Sequence, residues 1–356
     1  MLPSPYKFKG INMLQKFTPQ IYLFFLIFTF FSCKHSSTLP DVSHIDVDVK
    51  IERFDQELAT LDSAKILEQN KAWSEQYGAF YADFMQYMLE AGNPSDTLHI
   101  KKTLSEMLRQ RDFKALATAV EKKYPTLKNQ ENDLTQAFKY VKYYFPEYNL
   151  PRFVAYFSGF SVQTPIGDGY IGIGLDMFLG ADSEFYPALV GSIPLYLSRR
   201  FTPENITPRV VESVLRQELY PQENTDLNTL QHMVYQGKIL LALDSILPDM
   251  ADSLKIGYTA HQMKWANTYQ SEIWAWFLQE ELLYNTDYLH IQKYFTEAPF
   301  TPELGENNAS APKLGTYLGW MMVRKYMQQN PHVTLRQLLA NNNAQDILEK
   351  SKFKGK

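Results

Sequence analysis

The sequence predicts an α+β protein that is predominantly helical and contains a small β-sheet. Apolar residues recur at three- and four-residue spacing through residues 54–145, and again from residue 210 towards the C-terminus, which is typical of amphipathic helices. Alternation of apolar and polar residues marks one short N-terminal segment, and a run rich in aromatic and β-branched residues occupies the centre of the chain. Strands are therefore expected to be few and helices many.

The N-terminal part of this pattern consists of one strand followed by helices. Ile45, Val47, Val49 and Ile51 alternate with polar residues, and a period of two predicts a half-buried strand. Further helices are expected around residues 100–108, 113–124 and 134–145. The many aromatic residues on these helices are attributed to packed helix faces rather than to a ligand groove.

The centre of the chain predicts two more strands, at residues 153–162 and 170–175. Residues 164–169 (TPIGDG) lie between them and carry the turn chemistry of a hairpin. The glycines of this region lack the order and spacing of a phosphate-binding or dinucleotide-binding loop. We therefore expect a hairpin turn here and no nucleotide site.

Helices are expected again from residue 210 to the C-terminus. Apolar spacing predicts helices at residues 210–219, 227–248 and 315–327. Two capping boxes predict helix starts, since Thr259 precedes Gln262 and Thr334 precedes Gln337 by three residues. The first of these opens a helix expected to run to residue 283, and the second opens a short last helix.

The N-terminus carries the features of a secretory signal. Lysines at positions 7, 9 and 16 precede an apolar stretch, residues 21–31, and Ser32 and Cys33 follow it. The stretch is too short to span a bilayer as a helix, which takes roughly 20 apolar residues. Cys33 is the only cysteine of the sequence, and its position is where bacterial lipoprotein signals place the acylated residue. The sequence therefore predicts a lipid anchor on Cys33.

These observations divide the chain into three parts and bound its function. Residues 1–32 are predicted to be a lipoprotein-type signal peptide, 33–44 a lipidated tether, and 45–356 a single mostly helical domain. The formal net charge of -4 and the sequence pI near 6.0 leave no basic surplus for a nucleic-acid backbone. No nucleic-acid partner is expected.

The residues that could carry chemistry do not form a recognised catalytic motif. A helix-borne zinc site commonly has histidines at i and i+4, whereas the segment around His232 has one histidine and no adjacent glutamate. His232, His261 and Glu272 remain a possible zinc set through tertiary contacts. The sequence has no G-x-S-x-G motif. A glycan-binding surface built from tryptophans is a further alternative, although Trp274 and Trp276 fall on different helix faces.

At six segments the chain resembles the gliding-motility lipoprotein GldB family of Bacteroidetes. In order, the segments are 51–55 (IERFD), 193–206 (IPLYLSRRFTPENI), 233–238 (MVYQGK), 256–259 (IGYT) with Gln262 and Trp265, 298–301 (APFT) and 314–327 (LGTYLGWMMVRKYM). The resemblance covers nearly the whole mature chain. It implies an envelope lipoprotein that is needed for gliding over surfaces and works beside the type IX secretion apparatus.

The resemblance also implies partners and a location. The protein would be held to the membrane through lipid, including palmitate, on Cys33, and would bind other gliding or secretion proteins of the cell envelope. Residues 34–37 (KHSS) lack the acidic cluster associated with surface export, so the body is expected to face the periplasm. No cofactor and no catalytic residue is expected.

The family is similar in turn to predicted zinc proteases, whose H-E-x-x-H helix falls near residues 231–235 of this chain. Matched position by position, Gln231 and Tyr235 take the places of the two histidine ligands, and His232 takes that of the glutamate base. Together with Glu272, these residues are the candidates for a degenerate metal site in a zincin-like fold without its metal. The alternative is a membrane-tethered zinc metalloprotease-like hydrolase.

Overall fold

The computed structural model describes residues 39–223, 227–305 and 309–356. Val42–Lys356 forms one compact unit, and the elements below belong to it. The predicted signal peptide and Cys33 lie outside the described residues. Among the residues described, no helix is both long enough and apolar enough to cross a membrane.

A small mixed sheet lies in the N-terminal half of this unit. Its strands are β1 (Ile51–Arg53), β2 (Arg152–Tyr156), β3 (Ile166–Gly167) and β4 (Tyr170–Gly174), in the order β1-β2-β4-β3. β1 and β4 both pair with β2 in parallel, and β3 pairs with β4 antiparallel. β4 is buried along its whole length, as expected for a parallel strand covered on both faces.

Helices cover both faces of the sheet. On one face Phe80 packs edge-on against Tyr156 and Tyr170, with ring centroids 5.8 and 5.3 Å away. On the other face Phe138 packs edge-on against Phe153 at 5.1 Å. Successive strand residues point to opposite faces, so the alternation along β2 separates these two aromatic layers.

The helices confirm the predicted α+β class. Before the central strands lie α1 (Phe54–Ala59), α2 (Ile66–Tyr77), α3 (Ala79–Asp83), α4 (Thr97–Arg109), α5 (Arg111–Lys123) and α6 (Lys128–Tyr144). After them lie α7 (Leu195–Ser198), α8 (Ile206–Val214), α9 (Thr229–Ile246), α10 (Asp252–Ile256), α11 (Ala260–Thr268), α12 (Gln270–Gln279), α13 (Tyr288–Ile291), α14 (Leu314–Gln329), α15 (Leu335–Ala340) and α16 (Ala344–Ser351). Single π-helical turns, Phe84–Met88 and Leu215–Leu219, extend α3 and α8.

The predicted N-terminal strand is wrong in its extent but right in its burial pattern. Val47, Val49 and Ile51 are buried, while Asp48 and Lys50 between them are exposed. Regular pairing nevertheless starts only at Ile51. Backbone amides of this segment bond to side chains of α6. Val49 N donates to Thr135 Oγ1 at 2.9 Å, and Ile51 N donates to Glu131 Oε1 at 3.1 Å.

The predicted hairpin joins different strands from those expected. Asp168 and Gly169 connect β3 to β4 in a tight turn, and Gly169 adopts the positive φ of +71° that such turns require. The two longer strands, β2 and β4, are parallel neighbours. The sequence therefore located the hairpin turn correctly. The strand that precedes the turn is the two-residue β3 and not β2.

The C-terminal half is built around the pair of helices α9 and α14. α9 is buried on nearly all sides, as expected for a helix without a polar face. Both predicted capping boxes are confirmed, at the starts of α11 and α15. The helix expected to run from Thr259 to residue 283 breaks at Tyr269 into α11 and α12. α16 was not predicted.

Candidate functional site

A cleft of about 870 Å³ runs along one face of α9. Its floor is formed by Gln231, Tyr235 and Lys238, whose spacing of four and three residues places them on one side of a helix. The π-helical turn after α8 and the segment from α15 to α16 form its walls. Single π-turns are frequent at functional sites.

The side chain of Gln231 faces the cleft and also caps the start of α9. Its side-chain oxygen accepts from Asn228 N at 2.9 Å, while Asn228 Oδ1 accepts from Gln231 N at 2.9 Å. This reciprocal capping box fixes the first turn of α9. The amide of Gln231 is therefore committed to the helix terminus.

Lys238 is the most buried cation of the cleft, with 1% of the residue exposed. Its Nζ donates to the carbonyl oxygens of Asn341 at 2.6 Å and Leu339 at 3.2 Å, and to the Tyr220 hydroxyl at 3.1 Å. Burial lowers the pKa of Lys238 to about 8. The lysine thereby ties α9 to the end of α15.

Tyrosines give the cleft an aromatic wall. The rings of Tyr220 and Tyr235 stack with centroids 5.3 Å apart, and the Tyr148 hydroxyl donates to Glu218 Oε2 at 2.6 Å. Burial raises the pKa of Tyr220 to about 12, so its hydroxyl stays protonated at neutral pH. The wall combines apolar rings with hydroxyl groups, a composition suited to binding a protein segment.

The four degenerate metal-site candidates do not converge. Gln231 and Tyr235 face the cleft, whereas His232 is 92% buried and packs against the rings of Phe295 and Tyr288. Burial lowers the pKa of His232. Glu272 lies exposed on α12. Within the described residues, no three His, Cys, Asp or Glu side chains lie close enough to hold a metal ion.

A cluster of charged side chains adjoins the cleft behind Tyr235, and we call it the cationic cluster. Its first part lies on α8 and the π-turn, where Glu212 accepts from Arg209 at 3.1 Å and from Arg216 at 2.9 Å. Arg216 also donates to Gln236 of α9 at 2.8 Å. Burial opposes ionisation of Glu212, but Arg216 and Arg209 hold its pKa well below the usual range.

The second part of the cationic cluster is contributed by three loops. Arg200 and Lys313 both donate to Glu297 Oε1, at 2.5 and 2.6 Å, and Lys313 also donates to Ile256 O at 2.6 Å. Only 5% of Arg200 is exposed. Gly257, with a φ of +80°, allows this packing, because a Cβ there would lie 2.0 Å from the Arg200 guanidinium carbon.

Sequence reasoning did not identify the cationic cluster. One signal was available, since Arg209, Glu212 and Arg216 follow the three- and four-residue spacing of helical ion pairs. Arg200, Glu297 and Lys313 meet only through tertiary contacts.

The chain matches the family model described as gliding motility protein GldB over residues 35–355. It belongs to the GldB family. The resemblance expected from the six sequence segments is thereby confirmed. No curated protein and no solved structure matches the chain.

Membership of the GldB family sets the general function and location. It is a lipoprotein family of gliding motility, which associates the chain with the cell envelope. The six segments that carry the GldB resemblance include Arg200, Gln236 and Lys238. The cationic cluster and the cleft floor are thus built partly from the stretches that identified the family. The similarity to zinc proteases stays a prediction.

Proposed function

We propose that the protein is a non-catalytic component of the gliding machinery, anchored by lipid on Cys33 with its body in the periplasm. In this role the cleft along α9 binds a segment of another envelope protein of the gliding or type IX secretion apparatus. The observation that carries the proposal is membership of the GldB family over residues 35–355.

The chemistry of the cleft supports binding of a protein segment. Tyrosines line it together with the cation of Lys238 and with Glu218 and Arg336 of opposite charge. Aromatic rings with charged residues at the rim are the composition of protein recognition sites. A volume of about 870 Å³ lies within the range of ligand pockets, roughly 300–1,000 Å³.

The arrangement of the metal-site candidates favours binding over hydrolysis. Gln231 is engaged in the capping box of α9, and His232 packs between aromatic rings instead of facing the cleft. A metalloprotease helix needs its two ligands and its base directed at one point. Here only the positions of Gln231 and Tyr235 point into the cleft.

Complementation of motility tests the proposal. The full chain is expressed in a gliding bacterium of the same phylum from which its own copy of the gene has been deleted. Asn342 is an exposed residue of the cleft wall, so Asn342→Trp places a bulky ring at the cleft without disturbing buried packing. We expect wild type to restore spreading and Asn342→Trp to fail, with both proteins present in the membrane fraction.

The matched control is Glu68→Trp, which adds the same ring at an exposed position of α2. It should restore spreading like wild type. Cys33→Ser should leave the protein in the soluble fraction and the cells unable to spread. The proposal is overturned if cells carrying Asn342→Trp glide normally. It is also overturned if the purified full-length protein carries stoichiometric zinc that His232→Ala removes.

A further inference from the structure

The cationic cluster has an unbalanced charge. Its cations are Arg200, Arg209, Arg216 and Lys313, and its carboxylates are Glu212 and Glu297. Arg199 also lies within electrostatic range of Glu297 and Arg200. Five positive groups facing two negative ones leave a formal surplus of three positive charges. Partly buried charges of one sign are costly unless an opposite charge compensates them.

The start of α14 adds to this surplus. Lys313 is the N-cap residue of the helix, with a φ of +52°, and no side chain caps that end. The N-terminus of a helix carries a partial positive charge and favours anions. A lysine at this position is therefore unfavourable by itself, and Glu297 offsets one charge.

Hydrogen-bonding groups of the cluster remain unused. Arg200 Nε and Arg209 Nε are buried and have no partner, and the same holds for the Thr316 hydroxyl in the first turn of α14. Arg200 as a whole is 95% buried. A buried donor without a partner costs about 1–3 kcal/mol, so these groups are suited to a ligand with several acceptor oxygens.

One unused group of the cluster is an acceptor. Glu297 Oε2 is buried and has no hydrogen-bond partner, while Oε1 accepts hydrogen bonds from both Arg200 and Lys313. A fully deprotonated anion would meet repulsion from this oxygen. An anion that carries its own proton would instead donate a hydrogen bond to it.

We propose that the cationic cluster binds a hydrogen-phosphate group, either free phosphate or a phosphomonoester. Arg200 Nε and Arg209 Nε donate to its oxygens, and its P–O–H donates to Glu297 Oε2. Arginine is the residue best suited to such contacts, because its planar fork matches the geometry of phosphate. Inorganic hydrogen phosphate brings two negative charges together with its proton, whereas a phosphomonoester that keeps its P–O–H brings one. Either anion lowers the positive surplus of the cluster.

Two cations of the cluster have lowered pKa values, as expected where positive groups lack a sufficient counter-charge. Burial, with the nearby charge of Arg209, lowers the pKa of Arg200 to about 10. Burial also lowers the pKa of Lys313 to about 8, although Glu297 acts in the opposite direction. A bound anion would relieve both cations.

The rim of the cluster is partly exposed. The side chains of Arg209 and Arg216 are 27% and 32% exposed, and that of Glu297 is 26% exposed. The groups without a partner are themselves buried, so binding of an anion requires the rim side chains to move aside.

Calorimetric titration of the purified full-length protein in detergent tests the proposal. Sodium phosphate at pH 7 is compared with sodium sulfate at equal ionic strength. We expect phosphate to bind at least about tenfold more tightly, since losing one hydrogen bond to a charged group costs about 1.5–3 kcal/mol. Equal binding of the two anions, or no binding of any phosphate compound, overturns the proposal.

Two further ligands distinguish a lipid headgroup from free phosphate as the source of the bound phosphate group. Dihexanoyl phosphatidic acid carries a phosphomonoester, whereas dihexanoyl phosphatidylglycerol carries a diester without a P–O–H. Binding of phosphatidic acid but not of inorganic phosphate or phosphatidylglycerol supports the proposal and assigns the group to a lipid. Tight binding of inorganic phosphate supports it with a soluble source.

Variants assign the site. Arg209→Gln removes the Nε donor and should weaken phosphate binding about tenfold or more, while Arg111→Gln, at an exposed position at the start of α5, should leave it unchanged. Glu297→Gln replaces the acceptor and should abolish the preference for phosphate over sulfate. If Glu297→Gln does not fold, the comparison of Arg209→Gln with Arg111→Gln still decides, and equal affinities of these two variants contradict the site.

Discussion

Gly237 and Gly319 meet backbone to backbone where α9 and α14 cross. A Cβ on Gly237 would lie 2.3 Å from Gly319 O, and a Cβ on Gly319 would lie 1.8 Å from Met233 O. Both distances are far below any real contact, and the obstructing atoms are backbone that cannot rotate away. The two central helices of the C-terminal half are therefore packed at a distance that only glycine permits.

We predict that Gly319→Ala lowers the free energy of unfolding by more than about 3 kcal/mol, because α14 must move away from α9 and overpacking is costly. Gly191→Ala is the matched control, since a Cβ there meets nothing within 4 Å, and should change stability by less than about 0.5 kcal/mol. Urea unfolding followed by circular dichroism measures both. Equal stabilities of the two variants would contradict the close packing.

How far the sequence predicts this fold depends on whether a feature is local. The apolar period and the capping boxes at Thr259 and Thr334 act within a few residues, and they located most helices. The extent of β1 was mistaken because its pairing partner, β2, lies about a hundred residues away along the chain, where no local pattern reports on it. The crossing of α9 and α14 depends on two glycines 82 positions apart, and no local pattern indicates it.

Two of the four metal-site candidates lie together in the cleft, and this too follows from a local pattern. The spacing of Gln231 and Tyr235 on one helix places both in the cleft, as a shared helix face requires. Whether His232 and Glu272 join them is a tertiary question, and the structure keeps them apart. The cationic cluster draws on separate loops, so its convergence could not be inferred from one sequence.

The buried Lys238 should make stability depend on alkaline pH. Its pKa in the folded protein is about 8, below the 10.5 of an unfolded lysine, so between these values the unfolded chain binds more protons. Stability therefore rises with pH in this window, by about 1.4 kcal/mol per pH unit for each such lysine.

Lys238→Met should remove this contribution, while Lys313, whose pKa is also about 8, keeps its own. Urea unfolding of both proteins between pH 8 and 9.5 measures the slope, below the range in which unfolded tyrosines ionise. We expect a smaller slope for Lys238→Met. The same slope in both proteins would mean that Lys238 titrates normally.

Asp244 of α9 accepts from two cations and one indole, which lie on α14 and α10. Arg324 donates to both of its oxygens at 2.7 Å, Trp320 Nε1 donates at 2.9 Å, and Lys255 pairs with it at 2.9 Å. Asp244→Asn leaves Arg324 and Lys255 with Asp252 alone. We expect a loss of about 2–4 kcal/mol, since removing one partner strands the others.

Glu147→Gln is the control for Asp244→Asn, because it breaks the exposed pair with Arg336, whose side chains are 61% and 57% exposed. Such surface pairs contribute about 0–1 kcal/mol. Chemical unfolding of the two variants gives the comparison. Similar losses would mean that the Asp244 network is no stronger than a surface ion pair.

Asp176 fixes the backbone that follows β2. It is fully buried and accepts from Ser158 N, Ser158 Oγ and Phe160 N at 2.8–2.9 Å. Phe160 adopts a left-handed φ of +59° directly after Gly159, a conformation that costs about 1–3 kcal/mol outside glycine. These three hydrogen bonds offset that cost.

Asp176→Asn turns one acceptor oxygen into a donor that faces a backbone N–H or the Ser158 hydroxyl. We expect a loss of about 1–3 kcal/mol, together with faster hydrogen exchange at Ser158 and Phe160. Asp168→Asn, in the exposed turn before β4, is the matched control and should be neutral, because Asn-Gly also suits this turn. Unchanged exchange at Phe160 in Asp176→Asn would show that the left-handed conformation is maintained by other contacts.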